Sequence, residues 1–295
     1  MNSDTKRSTL GLSASAVAAV LWGFGGIFVA LTFASGLVVA FYRLWLGAVV
    51  LTIITYSLGK RITWSTLRAT WLGGLFLAGD MTMFYSAVRL TSIVDVSVIG
   101  AFQPALVLIV ARPLFGERMS RADVAWIVLA MAGVSVAVLG PGAAGHDRVL
   151  GDLLALGALL SFSAYWLVSK HARELTDAME YTAGVTIFAA LGATPIVLLS
   201  SQSLGRIHLS DWLWIVLLAV VPGSGHLVMN WAHRFVDASI SSAISCLAPL
   251  VAAVLAIPIL GQSLSPLQVG GVVVGLSAIA VVAARHRQPA QPQVE

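Results

Sequence analysis

The chain has little charge, one cysteine and no long polar stretch. Asp, Glu, Lys and Arg together make up 10% of the 295 residues, whereas a typical soluble domain carries roughly 25%. The single Cys246 excludes a disulfide framework and a cysteine-based metal site, and we expect it to be a small buried thiol. The polar breaks are too short to hold an extramembrane domain, which argues against a receptor or a scaffold.

The chain also lacks the motifs of membrane enzymes and of ATP-driven pumps. It contains no HExxH, no Cys/His set, no G-x-S-x-G and no P-loop, which would supply a metal ion, a nucleophile or a phosphate cradle. We therefore expect a protein that is not an enzyme, with no catalytic residue, no bound metal and no cofactor.

Most of the chain is apolar. Hydrophobic residues make up 58% of it, in runs close to the ~20 residues that a helix needs to span a bilayer. This pattern predicts an all-α, multi-pass protein of the cytoplasmic membrane. The ten predicted spans are roughly 11–32, 35–58, 69–89, 92–115, 122–140, 150–170, 179–200, 211–233, 238–260 and 266–284.

Two long stretches of the chain are copies of each other. Residues 95–120 read DVSVIGAFQPALVLIVARPLFGERMS, and residues 240–265 read ISSAISCLAPLVAAVLAIPILGQSLS. At one constant offset, four pairs coincide: Pro104 with Pro249, Pro113 with Pro258, Gly116 with Gly261, and Ser120 with Ser265. A proline in the middle of an apolar run leaves a carbonyl without its donor, which a membrane tolerates only against protein or a water-filled cavity.

The repeat extends to both halves of the chain. Residues 18–31 resemble 157–170, so the first apolar segment has an internal counterpart and is expected to be a retained span and not a signal peptide. Five spans per half place the second half upside down relative to the first, as in many secondary transporters. The predicted units are 1–145, an inverted copy at 146–286, and a disordered tail at 287–295.

The distribution of basic residues predicts that both termini are cytoplasmic. Three arginines fall on the outer side in this orientation, Arg89, Arg148 and Arg206. The inner side collects many more: Lys6, Arg7, Lys60, Arg61, Arg68, Arg112, Arg118, Arg121, Lys170, Arg173, Arg234, Arg285 and Arg287. Because this rule accounts for the net charge of +4, we expect the lipid bilayer as a partner and no nucleic acid.

The paired five-helix halves resemble the drug/metabolite transporter superfamily, in particular its ten-helix EamA-type exporters. The resemblance rests on the aromatic and small residues of each first helix, the proline of each fourth helix, and the Gly116-Glu117 step before the fifth. The second half departs from the pattern at Gly261-Gln262. The resemblance implies export of small metabolites, often amino acids, through a cavity between the first, third, fourth, sixth, eighth and ninth helices, with Glu117 as a structural or coupling residue.

Polar residues inside the predicted spans are candidates for the site, because charge at a helix centre is costly in a bilayer. Arg43 and Asp80 lie at similar depths. A bridge between them, or Arg43 bonded to backbone carbonyls, would only fix helices; alternatively, Asp80 faces the cavity and binds an ammonium group or a proton. His226 has the side chain for proton coupling, or it is a packing residue. Asn230 lies on the same helix face, as a polar contact or an interhelical hydrogen bond.

Aromatic residues and the two broken helices supply the remaining candidates. Trp22 and Trp166 lie deep among small residues and line either a pocket or the core. With Met83 and Phe84 they predict an aromatic and thioether-rich lining for amphipathic substrates. The candidates at the breaks are Gly100, Gln103 and Pro104 in the first copy and Ser245 and Pro249 in the second.

These observations predict a secondary carrier that exports small amphipathic metabolites, among them aromatic amino acids, by alternating access. A multidrug or other metabolite carrier of the same fold is one alternative, and a channel-like pore is another. We expect a monomer, with Gly271 and Gly275 as a helix-packing or dimer-forming G-x-x-x-G step.

Overall fold

The computed structural model describes residues 3–91, 93–117, 119–138, 148–205, 207–261 and 264–286. These residues form twelve helices and no strand, which confirms the all-α class. The helices are α1 (Ser3–Ala30), α2 (Gly36–Ser57), α3 (Trp64–Leu90), α4 (Ile93–Gly100), α5 (Gln103–Phe115), α6 (Arg121–Val138), α7 (Arg148–Ala172), α8 (Ala178–Leu199), α9 (Leu209–Ala232), α10 (Ala238–Ser245), α11 (Leu247–Leu260) and α12 (Pro266–Arg285).

Eight stretches of the described chain are long and apolar enough to cross a membrane. Helices α3 and α6 fall outside this set, so the ten spans stay a prediction. The eight stretches are Arg7–Ala30, Gly36–Ser57, Val96–Phe115, Val149–Ala172, Ala178–Leu199, Leu209–Ala232, Ala238–Ile259 and Pro266–Arg285.

Both ends of the helical chain lie at the same end of the bundle. The Ser8 hydroxyl near the start of α1 donates a hydrogen bond to the carbonyl of His286, just after α12, at 2.9 Å. Which side of the membrane this end faces stays a prediction. Several residues that the sequence analysis uses lie outside the described ones: Arg118, Arg206, Gln262, the tail 287–295 and the predicted boundary between 145 and 146.

Each copy of the repeat forms two short helices where one kinked helix was expected. The first copy breaks between Gly100 and Gln103, and the second at Cys246, between α10 and α11. Pro104 therefore lies in the first turn of α5 and not inside a continuous helix, at a position where a helix start leaves N–H groups unbonded in any case. The proline rings preorganise the start of the second half-helix.

The second half-helices end in the same way in both copies. Gly116 follows α5 with φ of 68°, and Gly261 follows α11 with φ of 64°. This left-handed conformation closes a helix and is strained for any residue with a Cβ atom. The two glycines that coincide in the sequence thus share one backbone role.

The two halves of the chain pack mostly against each other. Helix α3 packs on α7 and α8, α1 packs on α9 and α11, and α2 packs on α8. Helices α6 and α12 form a separate close pair, in which Gly271 approaches Gly133 and Ala137 of α6. The G-x-x-x-G step of α12 is therefore used inside the chain, where glycines let two backbones come close.

Candidate functional site

A cavity of about 240 Å³ lies between the two halves, at the level of the helix breaks. Its walls come from α1, α3, α4, α5, α7, α9, α10 and α11, with one side chain from α2. These correspond to the first, third, fourth, sixth, eighth and ninth predicted spans that the resemblance implies. The sequence candidates that line it are Trp22, Arg43, Asp80, Phe84, Gly100, Gln103, Pro104, His226, Ser245 and Pro249.

The two helix breaks meet in this cavity. The Ser245 hydroxyl lies 2.9 Å from Gln103 Oε1, to which it donates, and 2.6 Å from the Ser242 carbonyl. Gln103 Nε2 is buried and has no hydrogen-bond partner in the described part of the chain. A Cβ atom built on Gly100 would meet nothing within 4 Å, so the backbone is open to the cavity there. The breaks thus present a free donor beside exposed backbone.

Arg43 and Asp80 both reach the cavity, but they form no ion pair with each other. Arg43 Nε donates to the Leu218 carbonyl at 3.2 Å, and Nη1 contacts the sulfur of Met81. The Asp80 side chain is 5% exposed and has neither a hydrogen-bond donor nor a salt-bridge partner among the described residues. The bridge between Arg43 and Asp80 is therefore not formed in this conformation, whereas the hydrogen bond from Arg43 to a carbonyl of α9 agrees with the alternative in which Arg43 only fixes helices.

His226 lies in an aromatic wall of the cavity. Its ring centroid is 5.1 Å from that of Trp22, 5.8 Å from Tyr165 and 6.4 Å from Phe162. Its Nδ1 atom is buried and, within the described residues, has no partner. The position fits the packing alternative, and it also places the ring beside the cavity.

The two tryptophans singled out in the sequence have different positions. Trp22 lines the cavity, and its Nε1 is buried without a partner among the residues described. Trp166 is 0% exposed and donates from Nε1 to the Ala238 carbonyl at 3.2 Å. Its ring centroid lies 5.9 Å from that of Trp22, so Trp166 supports the cavity wall from behind and does not line it.

Three further candidates lie outside the cavity lining. Met83 faces α7, where a Cβ atom on Gly157 would come within 2.6 Å of its sulfur. Asn230 donates to the hydroxyls of Tyr165 at 3.1 Å and Thr182 at 3.0 Å. It therefore forms interhelical hydrogen bonds, one of the two roles considered for it from the sequence. Glu117 does not line the cavity and binds the backbone N–H groups of Ala238 and Ser239.

Phe162 lines the cavity although the site prediction did not include it. Phe162 is one helical turn before Trp166, and its ring centroid is 5.7 Å from both Trp22 and Trp166. The repeat of 18–31 in 157–170 pointed to this part of α7. It gave no information on which side chain of the turn faces inward.

Two turns at opposite ends of α9 are each held by a buried acidic side chain and a basic side chain. The first of these turns follows α9. Its N–H groups at Ala238 and Ser239 donate to Glu117, at 2.6 Å and 3.0 Å. Lys170 donates to the carbonyls of His233 at 2.6 Å and Val236 at 2.8 Å. Glu117 thus binds N–H groups and Lys170 binds carbonyls of the same turn, residues 233–239. We call this arrangement the α9–α10 clamp.

The turn between α1 and α2 has the same arrangement at the other end of α9. Asp211, in the first turn of α9, accepts from the N–H groups of Phe33 at 2.9 Å and Ala34 at 3.0 Å. Arg89 donates to the carbonyls of Thr32 at 2.7 Å and Ala34 at 3.1 Å. We call this the α1–α2 clamp. Charge-assisted hydrogen bonds of this kind are stronger than neutral ones, so each clamp holds one end of the bundle.

Comparison with known proteins identifies relatives over most of the chain. Residues 9–139 and 149–284 each match the EamA-like transporter family. An aromatic amino acid exporter, YddG of Ancylobacter novellus, is 26% identical over 213 residues, which cover 68% of this chain and 72% of the exporter. An uncharacterised transporter, YwfM of Bacillus subtilis, is 27% identical over 92% of this chain and 93% of its own length.

One solved crystal structure has the same fold. It superposes with a TM-score of 0.78 at 20% sequence identity, over 94% of this chain and 99% of the other.

Proposed function

Since the chain belongs to the EamA-like transporter family, a family of membrane transporters and not of enzymes, we propose that it is a secondary carrier exporting small zwitterionic metabolites. The aromatic amino acids are the substrates that we expect first. The exporter among its relatives supports the direction of transport. The proposed topology is ten spans in two inverted halves with both termini cytoplasmic, in a protein that acts as a monomer.

The observation that carries this proposal is the set of unpartnered polar atoms in a mostly apolar cavity. Asp80 supplies a carboxylate for an ammonium group, because it is buried and unpaired in the described structure. Gln103 Nε2, at the break of the first copy, supplies a donor for a carboxylate. A buried polar group without a partner costs about 1–3 kcal/mol, so a zwitterion that satisfies both kinds of group would relieve this cost on binding.

The size and walls of the cavity favour a compact, partly aromatic solute. Its volume of about 240 Å³ is smaller than the roughly 300–1,000 Å³ typical of sites for drug-sized ligands. The rings of Trp22, Phe84 and Phe162 line it and are suited to stacking on a flat side chain. These features favour an amino acid over the bulky substrates of a multidrug carrier.

The two clamps support alternating access over a channel. They lie at opposite ends of α9, and each holds a turn at one end of the bundle. Transporters with inverted repeats expose one central site by rocking the halves, so that one end opens while the other stays closed. A channel would need both ends open together, whereas both clamps are formed here.

Counterflow in proteoliposomes tests this function directly. The purified full-length chain is reconstituted with a high internal concentration of unlabelled tryptophan, and uptake of labelled tryptophan is followed with and without a pH gradient. We expect saturable uptake that phenylalanine and tyrosine inhibit. Saturable uptake of bulky hydrophobic cations in its place would support a drug carrier, and unsaturable flux would support a channel.

A further inference from the structure

A second pocket, of about 370 Å³, lies on the periphery of the helix bundle, between the start of α1 and the end of α9. It is lined by Arg7, Leu10, Trp231, Arg234 and Phe235, and it shares no lining residue with the central cavity. Leu10 is 51% exposed and Trp231 is 38% exposed. The pocket therefore combines two cationic side chains with apolar side chains on a surface that faces the lipid.

Neither arginine of this pocket has a side-chain partner among the residues that the structure describes. In the described part of the chain, Arg7 and Arg234 have no carboxylate within salt-bridge distance and no side-chain hydrogen bond. Arg234 coincides with Arg89 in the repeat, and Arg89 donates to the carbonyls of Val29, Thr32 and Ala34. The arginine at this repeat position therefore binds backbone carbonyls in the first half. Its counterpart in the second half has no side-chain partner among the described residues.

The pocket lies at the ends of two stretches that are long and apolar enough to span a membrane. One stretch begins at Arg7, and the other ends at Ala232, next to Trp231. The rings of Trp231 and Phe235 are 4.7 Å apart between centroids. Tryptophan at the end of a span is typical of the headgroup level, so we expect both guanidinium groups at the depth of lipid phosphates.

We propose that this pocket binds the headgroup of an anionic phospholipid. Guanidinium groups match phosphate oxygens in a planar, two-pronged geometry, and basic pockets between helices at the cytoplasmic face are suited to anionic lipids. The apolar rim of Leu10 and Trp231 contacts the glycerol and the first acyl carbons. This rim favours a lipid over free phosphate, which would leave it uncovered.

The lipid site adjoins the α9–α10 clamp. A Cβ atom built on Gly11 of α1 would come within 2.5 Å of Val236 and 2.9 Å of Phe235, so α1 lies directly against the clamped turn. Glu117 and Lys170 hold the same turn from inside the bundle. A bound lipid therefore joins α1 to this turn from the outside and stabilises the folded chain.

Thermal unfolding with defined lipids tests the proposal in the purified full-length chain. The melting temperature is measured in detergent with phosphatidylglycerol, cardiolipin, phosphatidylcholine or inorganic phosphate, and retained lipid is counted by native mass spectrometry. We expect stabilisation by the two anionic lipids only. Arg7→Gln and Arg234→Gln should each weaken binding of phosphatidylglycerol roughly fivefold, the order expected for one basic side chain at an anionic surface.

Arg68→Gln is the matched control, because Arg68 is an exposed arginine near the start of α3, on the predicted cytoplasmic side. It should bind lipid like the unchanged chain. Equal loss in the control would overturn the proposal in favour of a general charge effect, and so would undiminished lipid binding by the Arg7→Gln, Arg234→Gln double variant. Stabilisation by inorganic phosphate as strong as by lipid would overturn the lipid assignment.

Discussion

The Ser245 hydroxyl donates a hydrogen bond to Gln103 Oε1 across the two helix breaks, at 2.9 Å. The two residues are not repeat counterparts, because Ser245 coincides with Gly100 and Gln103 coincides with Ala248. The repeat therefore has no second, equivalent hydrogen bond between Gly100 and Ala248. An inverted repeat supplies the two breaks symmetrically, but the polar groups in the cavity are asymmetric, as recognition of a zwitterion with unlike ends requires.

Replacing Gln103 by leucine should weaken substrate binding while preserving the fold. The change removes the free Nε2 donor at similar side-chain volume. A hydrogen bond to a charged group contributes about 1.5–3 kcal/mol, so the half-saturating concentration in counterflow should rise roughly tenfold or more. Ser245→Ala should have a smaller effect, because it only loosens Gln103. Equal affinities for Gln103→Leu and the unchanged chain would exclude Gln103 from the site.

Asp80→Asn should remove recognition of the substrate ammonium group. The carboxylate is buried and unpaired among described residues, so its loss should lower counterflow of tryptophan by at least about tenfold, equivalent to about 1.4 kcal/mol. N-acetyltryptophan, which has no ammonium group, should bind both proteins equally weakly. Uptake by Asp80→Asn that matches the unchanged chain, with the same pH dependence, would contradict the role of Asp80.

Asp177→Asn is the control for this experiment. Asp177 caps α8 by accepting a hydrogen bond from Met179 N–H, and it pairs with Lys60 far from the cavity. Asparagine is an equally good helix cap, and an exposed ion pair contributes little to stability. We therefore expect normal transport by this variant.

Glu117→Gln should loosen the α9–α10 clamp. The amide keeps one acceptor, so one of the two hydrogen bonds from Ala238 and Ser239 is lost, at a cost of about 1–3 kcal/mol. In a Cys246→Ala background, a cysteine placed by Ser239→Cys should react faster with a membrane-impermeant maleimide when Glu117→Gln is present. Asp211→Asn loosens the opposite clamp and should slow this reaction. Identical rates in all three proteins would refute the gating role of the clamps.

Pro104→Ala and Pro249→Ala should impair transport more than stability. Alanine supplies the N–H that proline lacks, so the carbonyls of Gly100 and Ser245 gain a donor and the two half-helices tend to join. This closes the break that opens the backbone to the cavity. Counterflow and melting temperature are measured on the same preparations. Normal transport by both variants would mean that the breaks serve the fold alone.

Gly271→Ala should destabilise the pair formed by α6 and α12. The new Cβ atom would lie 2.4 Å from Ala137 N and 2.8 Å from the Gly133 carbonyl, which forces the helices apart at a cost of about 1–3 kcal/mol. Gly270→Ala is the control, since nothing lies within 4 Å of its Cβ position. We expect a lower melting temperature for Gly271→Ala only. Equal melting temperatures would mean that the α6–α12 interface adapts without cost.

Much of the architecture could be predicted from the residues alone. The long apolar runs locate the helices, and the matching prolines and glycines identify the repeat, because helix length and left-handed turns are local properties. Gly116 and Gly261 illustrate this, since the structure gives them nearly the same φ. The same repeat identified the candidate site residues at the two helix breaks, such as Gln103 and Ser245.

The sequence by itself determined which segments are helical, that two of them are interrupted and that the halves are related. Only the tertiary structure decided which side chains face the cavity: it leaves Asp80 unpaired, sets Trp166 behind Trp22, and uses Asn230 and Glu117 elsewhere. The physical reason is that a membrane helix is apolar towards lipid and towards protein alike. Its sequence therefore carries no hydrophobic face from which the inward direction can be read.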